Sequence, residues 1–376
     1  MTHRTEDQPD PSAPLLQQAL QQAERPTLWI IDEQITQPSL WLRGQKRVQI
    51  VSNRYDSFFE AQRAGYDARF SDLAPQDLHS QDATQPFRSI VYRISKEKAF
   101  VHHVLRAARD VLQHAARAAA QSSTESLGQL YLIGGKQEGI KTYIRNAEAC
   151  IGPLVYQQNG SHSTRLAVLQ YDQKIIGDSS APDDRDYHRL RLIGEEDGLQ
   201  FYSKPGQFGW EKIDAGSQLL ASCFPQLFQQ SPGRVLDLGC GYGYLSLQVS
   251  RYHPSQITAT DNNSAALLSC RFNFQFHHIH YGNVIADDCA RQITGLFDTV
   301  ICNPPFHQGF DTRRDITTRF IEAAHSHLDR KGQALFVVNA FIPLEQRAAD
   351  YFERTELINS NRQFKVLRLT GPKKRG

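Results

Sequence analysis

Hydrophobic and polar positions alternate along the chain in a pattern that predicts two α/β units. Between residues 27 and 150, short runs rich in β-branched residues are separated by helical segments, and an amphipathic helix is expected over residues 97–119. Residues 153–200 are polar and predict a connector with short strands. Further strands are predicted at residues 234–238, 256–260, 283–286, 299–302 and 334–338, with a closing antiparallel pair at 356–358 and 364–369. Such alternation is typical of a parallel sheet covered by helices.

The two halves share this rhythm but differ at one turn. The first strand of the first half continues through Asp32 without glycine, whereas the equivalent strand of the second half runs into a glycine-rich turn. We therefore expect two related domains, residues 27–195 and 196–376, after a flexible polar segment over residues 1–26. The first domain is expected to bind no cofactor and to serve substrate docking or stability. Two unrelated α/β domains are the alternative.

The composition excludes several classes of protein. The chain has 376 residues, of which 40% are hydrophobic and 22% charged, as in ordinary soluble proteins. No segment approaches the roughly 18 to 20 apolar residues that a membrane span requires. The N-terminal segment lacks the apolar core of a signal peptide, so a cytoplasmic location is expected.

Neither cysteine nor histidine indicates a metal site. The six cysteines form no C-x-x-C pair and are expected to be reduced thiols. The cluster of His277, His278 and His280 lacks the partner spacing of a metal site, so a helix-to-strand connection is favoured over a metal centre.

The net charge of +2 does not by itself predict a nucleic-acid-binding protein. Any contact with phosphate would have to come from local basic clusters, each of which is equally compatible with a solvated surface. Three such clusters are Arg313-Arg314, Lys373-Lys374-Arg375, and the group of Lys96, Lys98, Arg106, Arg109 and Arg117.

The glycine-rich turn is the first candidate binding element. Asp237 precedes Gly239, Gly241 and Gly243, and glycine allows a ligand to approach the backbone closely. The spacing is G-x-G-x-G rather than the G-x-G-x-x-G of dinucleotide-binding turns, and an acid at this point suits a cationic cofactor better than a pyrophosphate. A tight turn without a ligand is the alternative.

Acidic residues follow the next two predicted strands. Asp261 lies where an acid accepts both hydroxyls of a ribose. It could instead cap the helix that follows, although Asn262 or Asn263 could serve as the cap. Asp287 and Asp288 end the third strand, and Asp288 is preferred as the acceptor from an adenine amino group. A surface turn is the alternative there.

The sequence Asn303-Pro304-Pro305-Phe306 follows an apolar strand. Two prolines cannot extend that strand, so they impose a stiff turn where open α/β sheets bind ligands. An amide, a carbonyl and an aromatic ring are thereby held together. This set can accept hydrogen bonds from an amino group and stack on a flat ring, which suits chemistry on the exocyclic amine of a nucleobase.

In this order and spacing, the glycine turn, the two acids and the Asn-Pro-Pro-Phe turn resemble the Rossmann-like methyltransferases that use S-adenosylmethionine. Further motifs resemble the bacterial ribosomal RNA small subunit methyltransferase C family, which methylates guanine N2 in 16S rRNA. These motifs are Pro205-Gly206-x-Phe208, Asp214-x-Gly216-Ser217, Asn303 to Gly309, Val338-Asn339-Ala340-Phe341 and Phe364-Lys365-Val366. The resemblance implies tandem methyltransferase domains, the N-terminal one degenerate, and guanine 1207 within the 30S subunit as substrate.

The resemblance assigns the candidate residues to roles. Asn303, Pro304 and Phe306 would hold and stack on the target base. Asp237, Gly239, Gly241, Gly243, Asp261 and Asp288 would bind the cofactor, and His307, Arg313, Arg314 and Asn339 are weaker candidates for substrate contact. His307 could assist proton release, contact a phosphate or shape the turn, and Asn339 could contact the base or hold the strand end. A monomer is expected.

Three other functions stay open on the sequence. The same turn fits a methyltransferase for 23S rRNA guanine N2, or for adenine N6 or a protein glutamine. A non-catalytic assembly factor that binds RNA through an inactive methyltransferase fold belongs to another class. The intact glycine turn and Asn303 argue against that last reading.

Overall fold

Two seven-stranded sheets with the same strand order form the framework of the chain. The computed structural model describes residues 10–42, 44–78, 86–121, 128–175, 182–184, 186–305 and 310–374, and within them the side chains of residues 121 and 310–315 stay undescribed. The chain divides into two compact units, Gln8–Arg189 and Leu190–Gly376.

The first unit is built on a mixed sheet. Its strands are β1 (Thr27–Ile31), β2 (Val48–Ser52), β3 (Asp67–Phe70), β4 (Ser89–Arg93), β5 (Gln129–Gly135), β6 (Leu154–Asn159) and β7 (Thr164–Gln170), in the order β3-β2-β1-β4-β5-β7-β6. Its α-helices are α1 (Ala13–Gln22), α2 (Pro38–Leu42), α3 (Tyr55–Arg63), α4 (Lys98–Gln121) and α5 (Ile140–Cys150). The first five strands pair in parallel, and β6 and β7 close the sheet antiparallel.

Helix α4 shows what holds this unit together. Its side chains at Val101, Val104, Leu105, Ala108 and Leu112 recur every three or four residues and are fully buried. Each buried Val or Leu contributes about 1.5–3 kcal/mol, several times the difference in helix propensity between ordinary residues. Packing on the sheet, more than intrinsic helix preference, therefore fixes this helix.

A buried polar network fills the carboxyl edge of the first sheet. Arg93, at the end of β4 and only 1% exposed, forms ion pairs with Glu138 at 2.9 Å and Asp10 at 3.0 Å. Asp32, just past β1, is buried and accepts a hydrogen bond from the Tyr92 hydroxyl at 2.9 Å. Burial raises the pKa of the Asp32 carboxyl to about 8.

The second unit repeats the architecture. After the hairpin β8 (Arg191–Glu196) and β9 (Leu199–Ser203), its sheet has the order β12-β11-β10-β13-β14-β16-β15. These strands are β10 (Arg234–Leu238), β11 (Gln256–Asp261), β12 (Gly282–Ala286), β13 (Phe297–Cys302), β14 (Leu328–Asn339), β15 (Phe352–Ser360) and β16 (Phe364–Pro372). The helices are α6 (Ala215–Ser222), α7 (Phe224–Leu227), α8 (Tyr244–Ser250), α9 (Ser264–Phe276), α10 (Phe310–His327) and α11 (Leu344–Ala348).

The structure confirms the predicted α/β class and gives the bounds of the short strands expected between residues 153 and 200. The region predicted as a connector contains β6 and β7, which close the first sheet as β15 and β16 close the second. Strand β6 was hard to recognise because it lies at the sheet edge with most of its residues partly or fully exposed. No helix in the described ranges is long and apolar enough to cross a membrane.

Candidate functional site

The glycine turn after β10 lies at the carboxyl edge of the second sheet. Gly239, Gly241 and Gly243 have φ angles of 74°, 55° and 88°, in the left-handed region that favours glycine. A Cβ at Gly243 would lie 2.8 Å from the Cys270 sulfur, so this glycine lets the turn pack on α9. A Cβ at Gly241 would meet no atom within 4 Å, which leaves open space beside the backbone there.

Asp261 ties the glycine turn to the next strand. Its Oδ2 accepts a hydrogen bond from the Gly241 amide at 2.9 Å, and its Oδ1 accepts one from the Asn263 amide at 2.8 Å. The cap of α9 is Asn263, whose side-chain oxygen accepts from the Ala266 amide at 3.0 Å. The Asn263 amide nitrogen donates to the Gly206 carbonyl at 2.9 Å, which anchors a third loop at the same edge. Asp261 is thus not the cap, and its carboxylate accepts from the backbone of the glycine turn.

Asp237 is a buried acid with one unsatisfied oxygen. Its side chain is 0% exposed, and its Oδ2 accepts a hydrogen bond from the Ser246 hydroxyl at 2.6 Å. In the described part of the chain, its Oδ1 has no hydrogen-bond partner. Burial, with a smaller contribution from the Asp261 charge, raises the pKa of Asp237 to about 7. A cation bound beside the turn would offset both the burial of this carboxylate and the lack of a partner for its Oδ1.

The two acids after β12 have different surroundings. Both oxygens of Asp287 accept from backbone amides, those of Asp288 at 2.7 Å and Gln292 at 2.8 Å, so its carboxylate stabilises the local turn. The Asp288 carboxylate pairs through Oδ2 with Arg319 of α10 and with Arg291. Asp288 thus lies in an ion-paired cluster. Its role as the adenine acceptor stays a prediction.

Asn303 follows β13 and is held by the start of α6. Its side-chain nitrogen donates to Asp214 Oδ1 at 2.8 Å and lies 2.8 Å from Ser217 Oγ. Asp214 also caps α6, because the same oxygen accepts from the Ser217 amide at 2.8 Å. Within the described ranges, no hydrogen bond takes up the Asn303 side-chain oxygen. The amide therefore presents an acceptor at this edge.

Close packing fixes α6 in this position. A Cβ at Gly216 would lie 3.2 Å from the Phe364 ring and 3.1 Å from Asp214 Oδ1, so little space separates this helix from the start of β16. Phe364 in turn pairs with Asn339 across the antiparallel strands. The first turn of α6 and the ends of β13, β14 and β16 thus converge around Asn303.

The other predicted site residues are only partly described. Pro304 is buried, as a stiff turn against the sheet requires, and Asn339 ends β14, its carbonyl accepting from the Ile342 amide at 2.9 Å. Phe306 and His307 lie outside the described residues. Arg313 and Arg314 belong to α10, but their side chains lie outside the described set.

The sequence-based site did not include Asp214 and Ser217. Both appeared only as part of a family motif, Asp214-x-Gly216-Ser217. The contact with Asn303 spans 89 and 86 positions along the chain, and no local pattern reports such a distance.

One member of the histidine cluster and two members of one basic cluster make contacts within their own units. His277 Nε2 contacts the Gln200 carbonyl at 2.7 Å, and no group in the described ranges could hold a metal ion. In the first unit, Arg106 pairs with Asp184 at 3.3 Å and Arg109 is buried. These two arginines are therefore poor candidates for phosphate contacts.

Known proteins resemble the chain in both sequence and fold. The family model described as "Methyltransferase small domain" matches residues 198–368. The ribosomal RNA small subunit methyltransferase C of Haemophilus influenzae (strain PittGG) is 27% identical over 84% of this chain and 96% of its own length. That of Erwinia tasmaniensis is 39% identical over 44% of this chain and 47% of its own length.

A solved structure extends the likeness to both units. It is the T. thermophilus 16S rRNA N2 G1207 methyltransferase in complex with AdoMet and guanosine, with a TM-score of 0.77, 22% identity, and coverage of 98% of this chain and 94% of that one. At this identity the match establishes the fold, which is that of tandem methyltransferase domains. With the family model and the relatives, it shows that the chain is similar to the ribosomal RNA small subunit methyltransferases C along both of its units.

Proposed function

We propose that this chain transfers a methyl group from S-adenosylmethionine to the exocyclic N2 amine of a guanine in 16S rRNA, guanine 1207 of the 30S subunit. The observation that carries the proposal is the Asn303 side chain, whose nitrogen donates to Asp214 and Ser217 while no hydrogen bond from the described residues takes up its oxygen. An acceptor so placed beside a cofactor turn fits an amine substrate. The names of the relatives and of the solved neighbour support the choice of guanine N2.

The residues at the glycine turn fit S-adenosylmethionine, which when bound supplies an electrophilic methyl group and carries positive charge. The unsatisfied Oδ1 of Asp237 suits that charge, and the open space at Gly241 admits a ligand against the backbone. Gly239 and Gly243 hold the turn in its left-handed conformation. Asp261 would accept from the ribose hydroxyls and Asp288 from the adenine amino group.

Asn303 and Pro304 would prepare the target amine. The guanine 2-amino group is a poor nucleophile because its lone pair is delocalised into the ring. The Asn303 oxygen and the Pro304 carbonyl would accept its two N–H bonds, which favours a tetrahedral nitrogen with an available lone pair. Pre-placed dipoles of this kind contribute about 2.7–4 kcal/mol in comparable sites. Once methylated, the nitrogen is acidic and can release its proton to water without a strong base.

The remaining substrate contacts stay predictions on residues whose side chains are undescribed, apart from Asn339. Phe306 would stack on the base, which contributes roughly 1–3 kcal/mol. Arg313 and Arg314 would contact phosphates, which position RNA without specifying its sequence. The target base must be unpaired or extruded to reach the site. His307 would shape the turn, and Asn339 would contact the base or hold the strand end.

The first unit would act without a cofactor of its own, as a docking or stabilising domain in a monomeric enzyme. In support, the carboxyl edge of its sheet is filled by Arg93 and its two acidic partners. The segment after β1, Asp32 to Ile35, also lacks the glycines that follow β10, the equivalent strand of the second unit.

Methyl transfer to naked 16S rRNA and to the 30S subunit, with mass-spectrometric mapping of the product, tests the proposal. We expect N2-methylguanosine at position 1207, formed on the 30S subunit. Methyl label in N6-methyladenosine, or in methylglutamine of a ribosomal protein, would show that the target is one of those groups and not guanine N2. No transfer to either substrate, despite cofactor binding, would favour a non-catalytic RNA-binding factor.

A further inference from the structure

The first turn of α6 holds the Asn303 side chain by two hydrogen bonds. Asp214 Oδ1 accepts both the Ser217 backbone N–H and the Asn303 amide nitrogen, each at 2.8 Å. Ser217 Oγ lies 2.8 Å from the same amide nitrogen. One carboxylate oxygen therefore serves as helix cap and as partner of a residue 89 positions away.

This arrangement allows only one orientation of the amide. A carboxylate can only accept hydrogen bonds, so the NH2 group of Asn303 must face Asp214. The opposite orientation would place the amide oxygen against a carboxylate oxygen and lose a charge-assisted hydrogen bond, which is about twice as strong as a neutral one. The side-chain oxygen is thus fixed on the side away from α6.

The same contacts make that oxygen a better acceptor. An amide that donates to a carboxylate is polarised, because hydrogen bonds in a chain strengthen one another. The Asn303 oxygen would then hold more tightly an amine whose nitrogen gains positive charge during methylation. The benefit grows toward the transition state, so it raises turnover more than binding.

We propose that Asp214 and Ser217 are positioning residues, which fix the Asn303 amide so that its oxygen meets the target amine. This inference rests on the proposed function, which gives Asn303 its role. Neither residue needs to touch the substrate. Their effect passes through Asn303, so it should appear in turnover and not in cofactor affinity.

Three variants separate positioning from helix capping. Asn and Ser are N-cap residues about as favourable as Asp, so Asp214→Asn and Asp214→Ser should both keep α6. Asp214→Asn keeps an oxygen at the position that Asn303 contacts but loses the charge, whereas the Ser side chain is too short to reach Asn303. Ser217→Ala removes the second contact and leaves the capped backbone N–H in place.

We expect turnover on the 30S subunit to fall about a hundredfold in Asp214→Ser and about tenfold in Asp214→Asn, with Ser217→Ala nearer the smaller effect. The KM for the 30S subunit, the affinity for S-adenosylmethionine and the Tm should change little. Calorimetry, thermal unfolding and steady-state kinetics on the full chain measure all four quantities.

Two results would overturn the inference. One is wild-type turnover in Asp214→Ser, and the other is an activity loss that follows a matching fall in Tm across the three variants. Failure of the proposed function would look different, because the wild-type chain itself would then form no N2-methylguanosine.

Discussion

The two sheets differ in the residues at their carboxyl edges. Both sheets have the strand order 3-2-1-4-5-7-6 within their own unit, so the backbone framework is the same. In the first, Arg93 at the end of β4 pairs with Glu138 and Asp10. In the second, the equivalent strand ends at Cys302 and leads into Asn303, which presents an acceptor.

The difference lies in how each edge satisfies its polar groups. In the first unit, Arg93, Asp32 and Tyr92 pair with protein groups, and in the described part of that unit the buried polar atom left without a partner after β2 is the uncharged Asn53 Oδ1. In the second, Asp237 Oδ1 has no partner among the described residues, and neither does the Asn303 oxygen. A buried carboxylate with an unsatisfied oxygen destabilises a fold, so an edge that keeps one is suited to a ligand that completes it. The same backbone framework thus carries a carboxyl edge with a structural role in the first unit and a carboxyl edge suited to a ligand in the second.

Arg93→Ala should have the largest effect, because it removes the buried cation that pairs with the carboxylates of Asp10 and Glu138. Removing one member of a buried ion pair typically costs 3–5 kcal/mol of unfolding free energy. Denaturant unfolding of the full chain measures this. The control is Arg88→Ala, which breaks an exposed pair with Glu24 at 3.7 Å and should cost less than about 1 kcal/mol. Equal costs for the two variants would refute a structural role for the first edge.

Asn303→Ala should impair the second edge without unfolding it. Loss of the pre-placed acceptor should lower turnover by about 10²–10³ or more. Affinity for S-adenosylmethionine should stay within a few-fold, since the glycine turn is intact. Single-turnover kinetics and calorimetry on the same samples make the comparison. Normal turnover by the purified variant would remove Asn303 from the mechanism.

Asp32→Asn tests the buried acid of the first edge through pH. The folded-state pKa of about 8 lies above the unfolded value, so the native state holds an extra proton between pH 4 and 8. Stability from this group is present below pH 4 and is lost as pH rises toward 8. Asn imitates the protonated form, so the variant should gain about 2 kcal/mol relative to wild type between pH 6 and 8. Denaturant unfolding at several pH values measures this difference. If the unfolding free energies of the variant and the wild type change in parallel with pH, Asp32 does not titrate in this range.

Asp237→Asn tests the corresponding acid of the second edge. The pKa of about 7 without a ligand should fall when a cation binds nearby, so binding releases a proton at low pH. Affinity for S-adenosylmethionine should therefore weaken, by up to about tenfold per unit, as pH falls below 7. The variant should bind more weakly above pH 7 and lose this dependence. An unchanged pH profile would argue that the cationic part of the cofactor lies elsewhere.

The sequence revealed the second edge better than the first. Its glycine turn, its acids and its proline-bounded strand end are local patterns that follow buried strands, and such patterns survive in the sequence. Asn263 as the cap of α9 was likewise one of three foreseen possibilities, with Asp261 and Asn262. The edge strand β3 was missed, because a half-exposed edge strand lacks a strong apolar pattern.

The sequence pattern could not predict contacts between distant segments of the chain. The Asp214–Asn303 contact and the Arg93–Glu138 pair join residues that no helical or strand period relates. Each depends on the order of strands in the sheet, which brings the ends of separate strands to one edge. The glycine-free first turn did indicate that the first edge differs, but not that an arginine fills it.

Counting the cofactor sites on the intact chain tests the difference between the two edges most directly. Calorimetric titration of the full chain with S-adenosylmethionine gives the number of sites, and Asp261→Ala shows which edge holds them. We expect one site per chain, with affinity for S-adenosylmethionine lost in Asp261→Ala. Two sites per chain, or a single site that keeps full affinity in Asp261→Ala, would contradict this expectation.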